Sequence, residues 1–295
     1  MRLGFVAFGG GARQGGGGGL RAIRTLTMTD PSTADVFSRT AEVFDRVGPR
    51  FFAQSGRRLV ELAELRAGSQ VLDVACGRGA ALFPAAEKVG AQGRIIGIDL
   101  AEGMIRHTRA DLLRPGLENI HLGRMEATQL AFPAHTFDFV LSSHSILFFP
   151  SALGEFRRVL RPGGKTALSI IAHGCFGWLL GIFSRHAPPD EPDEESEMER
   201  LALDTPAGLE SALRQAGFAE VRVHAETDDM LYPDEETWWQ MLWTLGFRSS
   251  LEAMSAETLA QFKSELFLGL QAFRQADGFH VPFQVLFALG RKTFC

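Results

Sequence analysis

Between residues 70 and 171 the chain alternates short, uninterrupted apolar runs with segments whose apolar positions recur at helical spacing. The runs are Gln70–Ala75 (QVLDVA), Arg94–Asp99 (RIIGID), Asn119–Arg124 (NIHLGR), Phe137–Ser143 (FDFVLSS) and Lys165–Ile171 (KTALSII). Strands without polar alternation belong to a parallel sheet covered on both faces. The segments between them predict helices near Ala80–Val89, Glu102–Leu113 and Ser151–Leu160. Beyond Ile171 the pattern changes. Thr205 is placed to cap a helix reaching Ala216 and ended by Gly217, and VRVHAET (Val221–Thr227) reads as a further strand. Two amphipathic helices, DEETWWQMLWTLGF and AETLAQFKSELFLGLQAF, precede a last strand, VPFQVLFALGRK. The expected fold class is α/β, a doubly wound seven-stranded sheet.

The flanks set the domain organisation. Residues 1–29, with GGGARQGGGGG, cannot bury apolar surface and read as a flexible Gly-rich extension. Its LGFVAF start offers neither a GxGxxG register nor a signal-peptide core. Residues 30–66 read as an N-terminal helical lid: a helical stretch from Ala34 to Leu65, broken by Pro49, with Leu59, Leu62 and Leu65 at helical spacing. Residues 67–295 hold the α/β domain, with helical insertions at about 174–204 and 233–277 as the rest of a lid. The first insertion contains an acidic, proline-bounded surface stretch, PPDEPDEESEMER.

Composition narrows the function. The 295 residues carry a net charge of −5, which argues against binding that rests on phosphate neutralisation. Three scattered cysteines, Cys76, Cys175 and Cys295, make neither a disulfide framework nor a CxxC metal site, and the histidines form no HxH or HxxxH pair. No metal is expected. The most apolar stretch, Ala167–Phe183, is broken by Ser169, His173 and three glycines and falls short of the roughly 20 residues of a membrane span. A cytoplasmic location is expected. There are 24 Phe and 4 Trp but one tyrosine, Tyr232, so a pocket built here should be oily.

The chemistry concentrates in Val71–Gly79, VLDVACGRG. A buried strand ends in a glycine turn that opens a helix; Gly77 and Gly79 let a ligand approach the backbone, and the helix N-terminus offers free N–H groups. Asp99 ends the next strand, where a carboxylate accepts both hydroxyls of a ribose. The competing role is a helix N-cap. The glycine turn one strand away favours the ribose.

With these motifs the chain resembles the class I S-adenosylmethionine-dependent methyltransferases, most closely the ubiquinone/menaquinone-type and natural-product small-molecule enzymes. The resemblance spans roughly Phe37 to Lys292 and rests on VLDVACGRG, IIGIDLAEGM, MEATQLAFP, FDFVLSSHSILFF and RRVLRPGGK in family order. It implies the Rossmann-like methyltransferase fold and S-adenosyl-L-methionine as cofactor. By resemblance, Asp73 organises the first loop and faces the methionine ammonium, with Ala75, Gly77 and Gly79 lying along the cofactor. Asp99 takes the ribose, while Leu100 and Met104 flank the adenine. Glu126, between Met125 and Ala127, stands where the family usually has an Asp that accepts from the adenine amino group; the acceptor is kept on a longer arm. Ser142 would line the methionine side by its backbone. RRVLRPGGK is structural, a helix end at Leu160 turned by Pro162–Gly164 into the fifth strand.

Methyl transfer needs an acceptor held in line and dry, and a base only where an acceptor proton must leave. His144, just past the fourth strand, is the candidate base; backbone packing is its competing role, and His173 after the fifth strand is a weaker candidate. Candidate acceptor-wall residues are Phe148 and Phe149, Phe176, Trp178 and Phe183, and Trp239 and Trp243, with Phe51 beside Phe44 and Phe52 from the N-terminal helices. The expected reaction is C- or O-methylation of a hydrophobic small molecule: a secondary metabolite, quinone or terpenoid/polyketide-like acceptor. The alternatives are C-methylation of a prenyl or alkene chain through a carbocation, and a non-catalytic cofactor-binding scaffold. Nucleic-acid substrates are disfavoured because Ser142–Ser145 holds no polar-Pro-Pro-aromatic turn and no basic stripe accompanies it. Paired glutamates for protein arginine and a carboxylate cluster for catechols are also missing from that loop. A homo-oligomer is left open.

Overall fold

A computed structural model describes residues 31–113, 116–186 and 203–293. The Gly-rich extension, the acidic stretch and Cys295 lie outside the described residues. Strands β1 (Gln70–Val74), β2 (Arg94–Asp99), β3 (Ile120–Arg124), β4 (Phe137–Ser143) and β5 (Leu160–Ile171) are mutually parallel. β8 (Gly278–Lys292) runs antiparallel beside β5, and β6 (Phe218–Tyr232) pairs on its far side. The order is β3-β2-β1-β4-β5-β8-β6, with a two-residue β7 (Arg274–Gln275) paired to β8. The seven expected strands are present, and the chain reverses its winding direction between β1 and β4, where doubly wound sheets bind ligands.

Alternation along each strand feeds two cores. On one face Val71, Phe139, Leu141, Ala167 and Val285 pack beneath α2 (Phe51–Ala63), α3 (Leu82–Val89) and α6 (Gly177–His186). On the other, Leu72, Val140, Leu168 and Leu286 meet α5 (Ala152–Val159) and α7 (Pro206–Gln215). Thr205 caps α7 by accepting from the Gly208 N–H at 3.1 Å, and Gly217 follows the helix at φ 86°. α1 (Pro31–Thr40) lies against α4 (Glu102–Asp111).

Three features depart from the sequence reading. α2 lays Leu59, Val60 and Ala63 into the core, so it is as much a sheet-covering helix as a lid. The fifth strand begins at Leu160 rather than Lys165: Leu160 pairs with Phe137, and Pro162–Gly164 forms an irregularity within the strand, not a turn before it. β6 and β8 each run 15 residues, paired from Phe218↔Lys292 to Tyr232↔Phe279. β5 accompanies β8 only over Val285–Arg291, so the remainder of the pair projects past the sheet as a two-stranded ribbon. α8 (Glu235–Trp243), α9 (Arg248–Glu252) and α10 (Ala256–Leu270) share the apolar core of that ribbon, burying Phe279, Val281 and Phe283. Among the described residues no helix is long and apolar enough to cross a membrane.

Candidate active site

The loop after β1 is held in a shape few residues adopt. Ala75, Gly77 and Gly79 have φ of 54°, 50° and 84°. Hydrogen bonds fix it from several sides: Cys76 N–H to the Ile98 carbonyl (2.9 Å), Gly79 N–H to the Cys76 carbonyl (2.8 Å), and Thr108 Oγ1 to the Gly77 carbonyl (2.8 Å). Arg78, inside the loop, donates to Asp111 at 2.6 Å and to the Ala41 carbonyl, tying the turn to α4 and to the end of α1. A Cβ built on Gly77 would meet nothing within 4 Å. That surface is open to a ligand.

Two buried acids face this loop. Asp99 Oδ2 accepts from Gly77 N–H (2.8 Å) and its Oδ1 from Ala101 N–H (2.9 Å), which leaves lone pairs on both oxygens. Burial pushes its carboxyl up to about 6, against the opposing pull of the Ala101, Gly77 and Leu100 N–H groups. Asp73, 1% exposed, has no well-formed hydrogen bond to either oxygen. Burial first, and the Asp99 charge second, hold it well above the usual carboxylate range; the Leu82 N–H offsets this only in part. An unpartnered buried carboxylate is costly. A cationic group bound beside it would remove the cost, and a ribose would satisfy Asp99, so the residues present fit S-adenosylmethionine.

A cavity of about 990 Å³ extends from the glycine loop and both acids to an aromatic chamber. His144 stands between the halves. It follows β4 at φ 55°, with its N–H bonded to the Ser169 carbonyl (2.9 Å). Its Nε2 lies 2.6 Å from Ser55 Oγ, and its buried Nδ1 has no partner. Phe51 and Phe52 pack on the ring at 4.9 and 5.4 Å. Burial lowers its pKa to about 3, so the imidazole is neutral. Farther in, Tyr232 brings the one phenol among walls of Phe148, Phe176, Phe247 and Phe283, and burial holds its hydroxyl protonated. Asp45 accepts from the Phe52 and Ala53 N–H groups (3.1 and 2.8 Å), capping α2, and burial raises it to about 6. His173 Nδ1 pairs with Asp204 at 2.9 Å; Asp204 lines the cavity, and its other oxygen is buried without a partner.

Of the candidate cofactor residues, Asp73, Ala75, Gly77, Gly79, Asp99 and Met104 line this cavity. Leu100, Met125, Glu126, Ala127 and Ser142 do not. Glu126 turns its carboxylate onto the Thr128 N–H and hydroxyl (3.2 and 3.3 Å), Met125 Sδ accepts from the Ala131 N–H, and Ser142 Oγ is buried against Ser145 Oγ at 2.5 Å. Of the candidate wall residues, Phe51, Phe148 and Phe176 line the chamber, as do Phe44 and Phe52. Phe149 is 2% exposed in the opposite core, because it follows a 3-10 turn that aims Phe148 at the cavity and Phe149 under the sheet. Phe183 is fully buried against Phe247 and Phe262 and does not line the cavity, and the tryptophans also lie elsewhere. Trp178 packs on Trp238 and Phe273 (5.6 and 5.4 Å), and Trp239 packs on Trp243 beneath the Lys263 ammonium. Two residues along a helix are about 200° apart. Since Phe176, Leu180 and Met241 face the cavity, Trp178, Trp239 and Trp243 face away. Sequence reasoning missed Ser55, Asp45, Met241, Phe247 and Phe283. The lone tyrosine was a visible signal for Tyr232.

Comparison with known proteins agrees with this geometry. A methyltransferase-domain family matches residues 71–164. The chain is 34% identical over 271 residues to nocamycin O-methyltransferase of Saccharothrix syringae, covering 87% of this chain and 97% of that protein. It is 39% identical over 200 residues to aklanonic acid methyltransferase DauC of a Streptomyces species, covering 63% of this chain and 91% of that one. The crystal structure of the Bacillus subtilis YcgJ protein shares the fold, with a TM-score of 0.56 at 17% identity over 81% of this chain and 98% of that one. The nocamycin enzyme, matched at 34% identity over nearly its whole length, settles the family: the chain belongs to the class I S-adenosylmethionine-dependent methyltransferases.

Proposed function

We propose that the protein methylates an oxygen or an acidic carbon of a hydrophobic, polyketide-like small molecule, with His144 as general base. One observation carries the reading: a single cavity joins the glycine loop and its two acids to an aromatic chamber, and a neutral, half-buried histidine with an unpartnered ring nitrogen stands between them. The relatives named for nocamycin and aklanonic acid support the substrate class.

When bound, S-adenosylmethionine supplies an electrophilic methyl on a sulfonium that leaves as a neutral thioether. Asp73 holds the ammonium end of the ligand, Asp99 accepts from the ribose hydroxyls, and Met104 packs at the adenine end. Phe51, Phe52, Phe148 and Phe176 bury the acceptor and exclude water, so that alignment contributes much of the rate. His144 takes the acceptor proton. Burial keeps its lone pair free at all physiological pH values, and each turnover requires the imidazolium to form only while the acceptor fills the cavity.

The test is His144→Ala, followed by single-turnover transfer from labelled S-adenosylmethionine, with aklanonic acid as the first acceptor probed and a fractionated cell extract as the second source. Turnover should fall by about 10²–10⁴ while S-adenosylhomocysteine affinity is unchanged. A near wild-type rate in the variant would remove the base and favour an alkene acceptor, for which no base is needed in the methylation step.

A further inference from the structure

We propose that Ser55 is a positioning residue for His144, accepting a hydrogen bond from Nε2–H so that the ring is held as the Nε2-protonated tautomer and Nδ1 keeps a bare lone pair for the acceptor. The inference rests on the reading of His144 as the base and deepens it.

The contact joins residues 89 apart in sequence at 2.6 Å, and Ser55 is 1% exposed. Ser55 does not line the cavity, whereas His144 does, so the hydroxyl orients the ring and does not meet the acceptor itself. Both directions of this hydrogen bond satisfy Nε2, but they leave opposite groups at Nδ1. If Ser55 donated, Nδ1 would carry a buried N–H without an acceptor and the ring would have no lone pair left to take a proton. If Ser55 accepts, Nδ1 is a bare lone pair on a ring that lines the cavity, and the unpartnered atom is explained as the acceptor's partner once the acceptor is bound. A serine within a helix can still direct its own hydrogen to the carbonyl four residues earlier. On transfer the acceptor O–H proton passes to Nδ1, the oxygen takes the methyl carbon, and the ring becomes an imidazolium. The Nε2–H···Oγ bond strengthens as that charge appears. The proton leaves to solvent once product has departed.

The surroundings hold the contact rigid. Phe51 and Phe52 flank the ring, and the His144 backbone is bonded to Ser169. Gly56 lets α2 press against the Ala80 backbone, where a Cβ would collide. The Ser55–Gly56 pair therefore sets α2 against the cofactor loop and the base at once.

The experiment uses the full chain. Nitrogen chemical shifts of selectively labelled histidine should show wild-type His144 as a single neutral tautomer, protonated at Nε2. In Ser55→Ala the ring should become a mixture of tautomers. The single-turnover rate should fall on the order of 10- to 100-fold, the size of loss that a misplaced group causes. S-adenosylhomocysteine affinity and acceptor KM should hold, and Ser55→Thr, which keeps the hydroxyl, should recover most of the rate. Wild-type His144 protonated at Nδ1 would overturn the proposal without any variant. So would a Ser55→Ala enzyme of wild-type rate and tautomer alongside an inactive His144→Ala. A fully active His144→Ala would instead remove the base itself, which separates the two failures.

Discussion

Gly77 and Gly79 sit two residues apart in the same loop, both at positive φ, yet alanine should affect them differently. At Gly77 (φ 50°) an added Cβ has nothing within 4 Å, so Gly77→Ala bears only the left-handed backbone cost, roughly 1–2 kcal/mol. Ala75 at φ 54° shows that the loop accommodates an L-residue in that conformation. At Gly79 (φ 84°) the Cβ would run into the Phe83 ring, adding about 1–3 kcal/mol of overpacking to the same backbone cost. Ligand binding should reverse this order of concern. On the proposed site the space at Gly77 is taken by the cofactor, and a methyl group there should cost about 1–3 kcal/mol of binding, roughly 10- to 100-fold in affinity. Denaturant unfolding without ligand measures the first effect, and calorimetric titration with S-adenosylhomocysteine measures the second. Gly77→Ala should be the more stable variant and a weak binder. Wild-type affinity in Gly77→Ala would show that the open space beside this glycine is not where the cofactor lies, and the assignment of the loop would fall with it.

Two shorter predictions follow from the same geometry. On the proposed site Asp99 holds the ribose hydroxyls best as a carboxylate, an acceptor on both oxygens, and burial places it at about 6, so its weaker-binding protonated form accumulates below that pH. The Kd for S-adenosylhomocysteine should therefore rise as pH falls through 6, by up to about tenfold per unit; Asp99→Ala should bind weakly at pH 7.5, and an affinity independent of pH between 5 and 7.5 would refute the assignment. Trp178 packs on Trp238 and Phe273 outside the chamber, so Trp178→Ala should cost about 3–5 kcal/mol of stability with acceptor KM unchanged at a temperature where the variant is folded. A raised KM in a stable variant would place this ring in the wall after all.

The parts of the fold legible in the sequence are those whose signal is local. β1 to β4 lie within a residue or so of the apolar runs, because strands buried on both faces admit no polar residue to blur them. The glycine loop and Asp99 were legible because a strand end, a turn and an acid occur in fixed order. β6 was read at half its length, since Asp228 and Asp229 interrupt the apolar pattern; on a ribbon with one solvent-facing side, an acid such as Asp229 sits at the surface, paired with His280 at 2.6 Å. The tryptophans show a different failure. Composition identified them as large apolar groups near the site, but which way a helix turns them depends on its rotation about its own axis, set by the packing of Phe176, Phe183 and Met241.

The chemistry of the site was the least legible part, because it depends on what each polar group lacks. Nothing in VLDVACGRG says that Asp73 is buried without a partner, and nothing near Ser55 says that its hydroxyl meets a ring 89 residues away. Both are consequences of the sheet order, which sets β1 between β2 and β4 and so brings Asp73, Asp99 and His144 to one edge. The folded chain keeps Asp73 and Asp99 above the usual carboxylate range and the His144 imidazole far below its own, each by burial in the same cavity. Such burial works against stability in the free protein. On the proposed reading, a cofactor that brings a cation and a pair of ribose hydroxyls answers the two acids, and an acceptor that brings a proton answers the imidazole, so part of the binding free energy of each is relief of a cost already present in the fold.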